Sequence, residues 1–365
     1  METKHLEKWK KEMLVCIKCA YCFGDCPIYS QLGWESASAR AKMILSYGLL
    51  TKGIEYTDSI LENFFQCTTC KQCELNCPAK VKILDVIEAA RKDLVDNGYC
   101  YPAHKLMREV VEKSGNIYGE EKRKKESVQK GAEYALFVGC VGTYREDESI
   151  KRTIKLLKKL GVSFTRFDEV CCGGVFPYVG LDNYQKNVQH NKEEIKKTGA
   201  KKLLTTCPMC YRTFKNNPEY SDLGVEVVHI TQLLNKLNID VKTDKVVTYH
   251  DPCDLGRHLG IYEEPREIIK KFASHFVEMD KNRENAHCCG AGGGVRGAFT
   301  RLSINMAKNR LKEALNTKAD VLLTECPSCL HNFKNAKKKR QRIQIYNISE
   351  YLSILMDRGK KNEDL

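Results

Sequence analysis

Leu203-Leu-Thr-Thr-Cys207-Pro-Met-Cys210 returns 119 residues later as Leu322-Leu-Thr-Glu-Cys326-Pro-Ser-Cys329. Each copy is a short β-rich run that ends on a cysteine and is followed at once by proline. Proline has no N–H to lose and its φ is already near the helical value, so it suits the first position of a helix. The pattern predicts a strand, a cysteine at the turn, and a helix carrying the second cysteine in its first turn. There, backbone N–H groups and the helix dipole favour a thiolate. Two more segments repeat: Tyr134-Ala-Leu-Phe-Val-Gly-Cys140 with Val246-Val-Thr-Tyr-His-Asp-Pro-Cys253, and Cys171-Cys172-Gly173 with Cys288-Cys289-Gly290. Phe214 and Phe333 stand four residues past the last cysteine of each copy, and both are followed by Lys-Asn. Offsets between paired cysteines stay between 113 and 119, so the second part of the chain is a duplication of one fold and one cysteine arrangement.

Around these anchors, β-rich runs at 135–138, 203–206, 225–228, 246–249 and 321–324 alternate with helical periodicity at 149–160, 182–197, 265–272 and 299–315. That alternation predicts an α/β layer fold in each half. The first 110 residues or so lack strand patterns and show helical ones at 6–15, 37–47, 58–65, 83–95 and 103–113. The fold class is therefore multidomain α + α/β: an all-helical front, then two duplicated α/β cysteine-rich domains. The expected boundaries are a helical domain at 1–111, a basic linker at 112–131, cysteine-rich domains at 132–243 and 244–358, and a polar tail at 359–365.

Composition narrows the class. Apolar residues are 42% and charged residues 29% of the 365, ordinary for a globular protein, but 19 cysteines are not. The first 13 residues lack a signal peptide's apolar run. The longest apolar runs, such as 134–142, are far too short to span a bilayer. A cytoplasmic chain with no transmembrane segment of its own is expected, reaching the inner membrane face only through a partner. In such a compartment cysteines carry metal rather than disulfides. The formal charge of +13 counts every thiol as neutral, and iron-bound thiolates would bring it down, so the basic excess does not point to nucleic acid. Lys122-Arg123-Lys124-Lys125 and Lys337-Lys338-Lys339-Arg340 read as solvated linker and helix surfaces.

Cys16, Cys19, Cys22 and Cys26-Pro27 form C-x2-C-x2-C-x3-C-P, and Cys67, Cys70, Cys73 and Cys77-Pro78 repeat it. Three closely spaced thiolates reach three irons of one cube, and in two-cluster ferredoxins the fourth cysteine serves the other cube. Cys16, Cys19, Cys22 and Cys77 are expected to hold one cubane, and Cys67, Cys70, Cys73 and Cys26 the other. A pair of zinc sites is the competing reading, because C-x2-C alone is common in zinc ribbons. Nothing nearby indicates chemistry other than electron transfer.

The duplicated halves supply Cys140, Cys171, Cys172, Cys207, Cys210 and Cys253, Cys288, Cys289, Cys326, Cys329. Five thiolates exceed what one tetrahedral zinc needs, and adjacent cysteines fit separated irons better than a single ion. A zinc site or a redox-active C-P-x-C dithiol is the alternative.

With these motifs in place, the chain resembles the cysteine-rich CCG domains of heterodisulfide reductase and of iron–sulfur subunits in flavin-linked dehydrogenases. The resemblance rests on His250-Asp-Pro-Cys253-Asp-Leu-Gly-Arg257, the two Cys-Cys-Gly triplets, and Gly33-Trp-Glu-Ser-Ala-Ser38 after the first ferredoxin motif. The fused arrangement is most similar to the catalytic subunit of heterodisulfide reductase. It implies a noncubane [4Fe–4S] cluster in each five-cysteine set, and a disulfide, the coenzyme M–coenzyme B heterodisulfide or one like it, cleaved between them. It also implies an electron-donating partner protein, a membrane cytochrome or a soluble flavoprotein or hydrogenase-type protein, with no flavin or nucleotide on this chain. The alternative is an electron-transfer component of a flavin-linked 2-hydroxyacid or glycerol-3-phosphate dehydrogenase.

Lesser signals remain. His250, His287 and His331 lie near ligand cysteines and are read as packing groups or proton donors. Gly292, Gly294 and Gly297 spell a dinucleotide fingerprint but follow cysteines rather than a strand, so they are read as allowing close backbone approach. Arg257 and Arg296 are read as surface or anion-binding groups, and Cys100 as a buried thiol.

Overall fold

The computed structural model describes residues 1–121, 128–182 and 184–363, with side chains as far as residue 358. Four strands form the first sheet: β1 Tyr134–Phe137, β2 Phe164–Thr165, β3 Lys202–Thr205 and β4 Glu226–His229, all parallel and ordered β2-β1-β3-β4. The second repeats it with β5 Thr243–Tyr249, β6 Ala273–Phe276, β7 Val321–Thr324 and β8 Gln344–Asn347, ordered β6-β5-β7-β8. Parallel neighbours need crossovers, which the helices supply. The central strands are buried on both faces, and Leu203, Leu204, Val321, Leu322 and Leu323 are fully enclosed.

Pro208 and Pro327 do open helices, Pro208–Asn216 and Pro327–Ala336, directly after Cys207 and Cys326. Three strands lie outside the runs that the sequence pattern marks. β2 has two residues, while β6 (Ala-Ser-His-Phe) and β8 (Gln-Ile-Tyr-Asn) are edge strands whose polar letters hide the alternation. Among the described residues no strand precedes Tyr134. The expected helix at 6–15 is two short ones, Lys4–Glu7 and Lys10–Val15, because Trp9 leaves helical geometry. The helix expected at 37–47 starts at Ala39, where the Ser38 hydroxyl caps it by accepting from the Ala41 N–H at 3.1 Å, and runs to Leu50. Residues 337–340 form a largely exposed turn rather than a helix surface, and the cluster at 122–125 lies outside the described residues.

Strand alternation sends Leu136, Leu204, Val247, Val321 and Leu323 into a core shared by both sheets, and Ala135, Phe137 and Leu203 toward the helical front. In the shared core, helix Asp147–Lys159 packs on helix Ile348–Glu363, and helix Ile230–Lys236 packs on helix Glu263–Phe272. By the duplication these two contacts are the same contact made twice, so the halves are related by an internal pseudo-two-fold. Arg91, fully buried on helix Ile83–Asp96, locks the front to both halves. Its guanidinium donates to the carbonyls of Phe64 and Cys67, to Tyr178 in the first half and to Gly293 in the second.

Candidate metal centres

The two ferredoxin motifs sit in loops with unusual backbone. Lys18 and Ala20 in the first, and Thr69 and Lys71 in the second, all have positive φ between 53° and 71°. Left-handed conformations are costly for such residues and persist where surroundings demand them. Here they flank Cys19 and Cys70 and bend the chain within each motif. Burial pushes the Cys22 thiol up to about 11, and its neighbours Cys16, Cys26 and Cys77 add to the effect. Burial raises Cys73 well above the usual range, with Cys67, Cys70 and Cys26 acting on it. Cys77 thus lies with the first triplet, while Cys26 lies with the second and opens helix Pro27–Leu32 as its N-cap.

Cys26, Cys67, Cys70 and Cys73 line one cavity together with Lys42 and Gln72. Both amide atoms of buried Gln72 lack partners, and the Lys42 ammonium is fully enclosed, donating to the Ala37 carbonyl at 2.5 Å and to Asn63 Oδ1 at 3.3 Å. Four thiols, a cation and an unpaired amide around one enclosed space fit a multi-iron group with net negative charge. Neither Lys42 nor Gln72 carries a local sequence signal, since each owes its role to helix packing.

The two five-cysteine sets fold into equivalent chains of touching thiols. In the first, Cys171 neighbours Cys140 and Cys172, and Cys210 neighbours Cys172 and Cys207. In the second, Cys288 neighbours Cys253 and Cys289, and Cys329 neighbours Cys326 and hydrogen-bonds with Cys289. The Cys289 and Cys329 sulfurs are 3.2 Å apart. Cys326 sits at about 11: the neighbouring Cys329 thiol pulls it down, while burial and the nearby Cys207 and Cys289 raise it. Cys207 and Cys326 are duplication partners, so the two sites face each other across the pseudo-two-fold. The second chain has one more member. The Thr68 hydroxyl of the helical front lies 3.6 Å from the Cys288 sulfur, and the neighbouring Cys70 thiol acts on the same residue.

Cys210 and Cys329 lie in the first turns of their helices, as the sequence pattern predicts. Neighbouring thiols, and burial after them, hold both well above the usual range. Binding metal here means displacing those protons. Ten clustered soft donors in two equivalent groups suit iron–sulfur chemistry.

Packing separates the histidines, arginines and glycines near these sites. His250 is buried beside the second site and faces Cys289 and Cys329. His287 and His331 are half-buried and pair with Glu313 and Glu146, each at 2.8 Å. Arg257 is neither a surface group nor free to bind an anion. Its guanidinium donates to the Cys70 carbonyl at 2.6 Å, Ala286 at 2.6 Å and Glu284 at 3.0 Å, clamping the front to the second half. Arg296 donates to the Tyr118 hydroxyl at 2.6 Å. The glycine run lies against the ligand loop, with Gly292 and Gly293 pressed on the Thr68 and Cys67 backbone, whereas Gly297 borders open space. Cys100 is half-buried rather than buried, and burial raises its thiol.

Comparison with known families matches residues 12–81 to a 4Fe-4S dicluster domain and residues 134–215 and 247–334 to a cysteine-rich domain. The chain is similar to the D-type component of the dihydromethanophenazine:CoB–CoM heterodisulfide reductase of Methanosarcina barkeri, at 33% identity over 92% of each chain. It is also 30% identical to the EtfAB:quinone oxidoreductase of Syntrophomonas wolfei, over 80% of this chain and 46% of that protein. A solved structure of a hypothetical protein from Helicobacter pylori covers 97% of this chain and 72% of its own, with TM-score 0.61 and 12% identity, a likeness of fold alone.

Proposed function

Because the chain belongs to the heterodisulfide reductase family of iron–sulfur oxidoreductases, we propose that it cleaves a disulfide between its two five-cysteine sites, using electrons fed through its helical front. One disulfide, two electrons and two protons give two thiols. The observation that carries this reading is the gathering of thiols: the front meets the second site where Thr68 lies 3.6 Å from the Cys288 sulfur, and Cys207 of the first site is near enough to raise Cys326 of the second.

Each residue set has a part. Cys16, Cys19, Cys22 and Cys77 hold one cubane, and Cys26, Cys67, Cys70 and Cys73 the other. Cys140, Cys171, Cys172, Cys207 and Cys210 hold one noncubane cluster, and Cys253, Cys288, Cys289, Cys326 and Cys329 the second. Bound clusters supply one-electron storage at each position. Lys42 offsets charge at the inner cubane, and Arg257 and Arg91 fix its loop against the second half.

Cys19 is exposed, and exposed Leu14, Ile17 and Tyr21 flank it in sequence. That apolar surface is where the electron-donating partner, a membrane cytochrome or a soluble flavoprotein or hydrogenase-type protein, would dock. Among the described residues no helix is long and apolar enough to cross a membrane. The substrate we assign is the coenzyme M–coenzyme B disulfide or a close analogue.

The test is reduced-viologen-driven cleavage of that disulfide by anaerobically purified protein. Turnover is expected, and Cys289→Ala or Cys172→Ala should abolish it while sparing the front's iron. Full turnover in Cys289→Ala would overturn the proposal. The similarity to the EtfAB:quinone oxidoreductase supports a second reading, in which the same sites only relay electrons for a flavin-linked dehydrogenase. That reading predicts no disulfide turnover and a paramagnetic spectrum unchanged by added thiol.

A further inference from the structure

At one matched position the two five-cysteine sites exchange an apolar ring for a polar one. Phe137 and His250 correspond by the same 113-residue offset that pairs Cys140 with Cys253. Both rings are buried, and each stands edge-on to its half's matched phenylalanine. Phe137 meets Phe214 at 4.8 Å and 76°, and His250 meets Phe333 at 4.8 Å and 88°. The duplication therefore holds the ring in one pose and changes only its chemistry.

In the second half the ring is polar, and its surroundings choose its tautomer. Arg310 Nε lies 3.2 Å from His250 Nδ1. A guanidinium can only donate, so Nδ1 accepts and the imidazole proton sits on Nε2. Arg310 is itself fully buried and held by Glu313 and, at 2.8 Å, by the Lys281 carbonyl. His250 Nε2 is buried with no oxygen or nitrogen partner. An imidazole nitrogen of His250 and the sulfurs of Cys289 and Cys329 all lie within 4.8 Å of one another. Nδ1 is already taken by Arg310, so the unpartnered Nε2–H is the group left to donate to a neighbouring ligand sulfur. Phe137 offers the first site no donor at all.

We propose that His250 is a positioning residue that donates from Nε2 to the Cys289–Cys329 thiolates, so that the second five-cysteine site accepts an electron more readily than the first. A hydrogen bond to a ligand sulfur withdraws negative charge and favours the reduced state of the metal it binds. The second site is also the one that the helical front approaches, at Thr68 and Cys70, so the electron arrives where it is held better. The two sites then act in order rather than interchangeably, and a disulfide between them meets two electronically different partners. The inference rests on the reading that both five-cysteine sets hold clusters.

The experiment uses the full chain, loaded and handled without oxygen. Potentials are read by titration under electron paramagnetic resonance, and nitrogen coupling by pulsed methods on protein with 15N-labelled histidine. His250→Phe copies the first site. It should shift the reduction equilibrium of one noncubane centre about tenfold toward the oxidised form, about 59 mV for a one-electron couple, and leave the other centre unmoved. His250→Gln keeps an amide donor and should restore most of the shift. Wild-type protein should show a weak nitrogen coupling, as a hydrogen bond gives, that both variants lack. This coupling decides the matter even if His250→Phe fails to load iron. Unmoved potentials in fully loaded His250→Phe, or a strong coupling from nitrogen bonded directly to iron, would overturn the proposal alone. A wild-type iron content far below about sixteen per chain, four for each of four clusters, would overturn the underlying reading and the proposal with it.

Discussion

Three histidines away from the thiol chains are held neutral by burial. Burial drops the His229 imidazole to about 3, and His104 and His258 to about 4. Each folded value is depressed below the ordinary 6.5 or so of an unfolded chain. Between about pH 6.5 and 4 these three histidines bind up to about three more protons in the unfolded chain than in the folded one, so their contribution to stability rises with pH across that window, opposed by Glu88, Glu169 and Glu325, which burial raises to about 7. The histidine contribution is complete above about 6.5 and is lost as pH falls toward the folded values. Denaturant unfolding of the loaded protein at several pH values reads the net slope, and the difference between wild type and variant isolates one histidine. His229→Gln should reduce it by about one proton, or about 1.4 kcal/mol per pH unit. A slope that His229→Gln leaves unchanged would count against the burial assignment. At this same scale the sequence pointed to His250, His287 and His331 together. Only packing separated the one that faces sulfur from the two that face Glu313 and Glu146.

At the scale of elements, the contact between the glycine run and the ligand loop is the tightest test. Gly293 has φ +60°, and a Cβ there would lie 2.4 Å from the Cys67 carbonyl oxygen and 2.8 Å from the Thr68 carbonyl carbon. Both are backbone atoms, so neither can swing aside. Gly293→Ala is expected to cost about 2 kcal/mol or more in stability, from strain and overpacking together. Iron held by Cys26, Cys67, Cys70 and Cys73 should fall with it, as iron analysis and unfolding would show. Gly297→Ala, beside open space, is the matched control and should do neither. The strand–cysteine–proline–helix units were readable because each is written in consecutive letters. β2, β6 and β8 were not, because an edge strand is defined by the neighbour it pairs with and needs little pattern of its own.

On the scale of the whole molecule, the two halves share one core. Leu157, Ile230 and Leu234 of the first pack in the same cluster as Ile268, Phe272 and Leu352 of the second. Buried polar groups cross the same boundary: the hydroxyls of Thr153 and Ser349 lie 2.9 Å apart, and Asn347 donates to Ser149 at 3.3 Å. A chain cut to residues 1–242 would expose this surface, so it is expected to be insoluble alone and recovered when co-expressed with residues 243–365. A soluble, monomeric 1–242 fragment on size-exclusion chromatography would show that the halves are independent after all.

Cysteine spacing and strand–helix periodicity were enough to read a helical two-cluster front, an internal duplication, and eighteen thiols sorted into four sets. Those features are local or repeat at fixed intervals, and chain geometry ties them directly to position. Several features arose only on folding. They include the approach of the front, at Thr68 and Cys70, to Cys288 and the facing of Cys207 and Cys326. So do the clamps made by Arg91 and Arg257, and the exchange of an inert ring at Phe137 for a hydrogen-bond donor at His250. Each of these depends on which surfaces meet across many tens of residues, and burial energy settles that meeting, which no spacing of letters encodes.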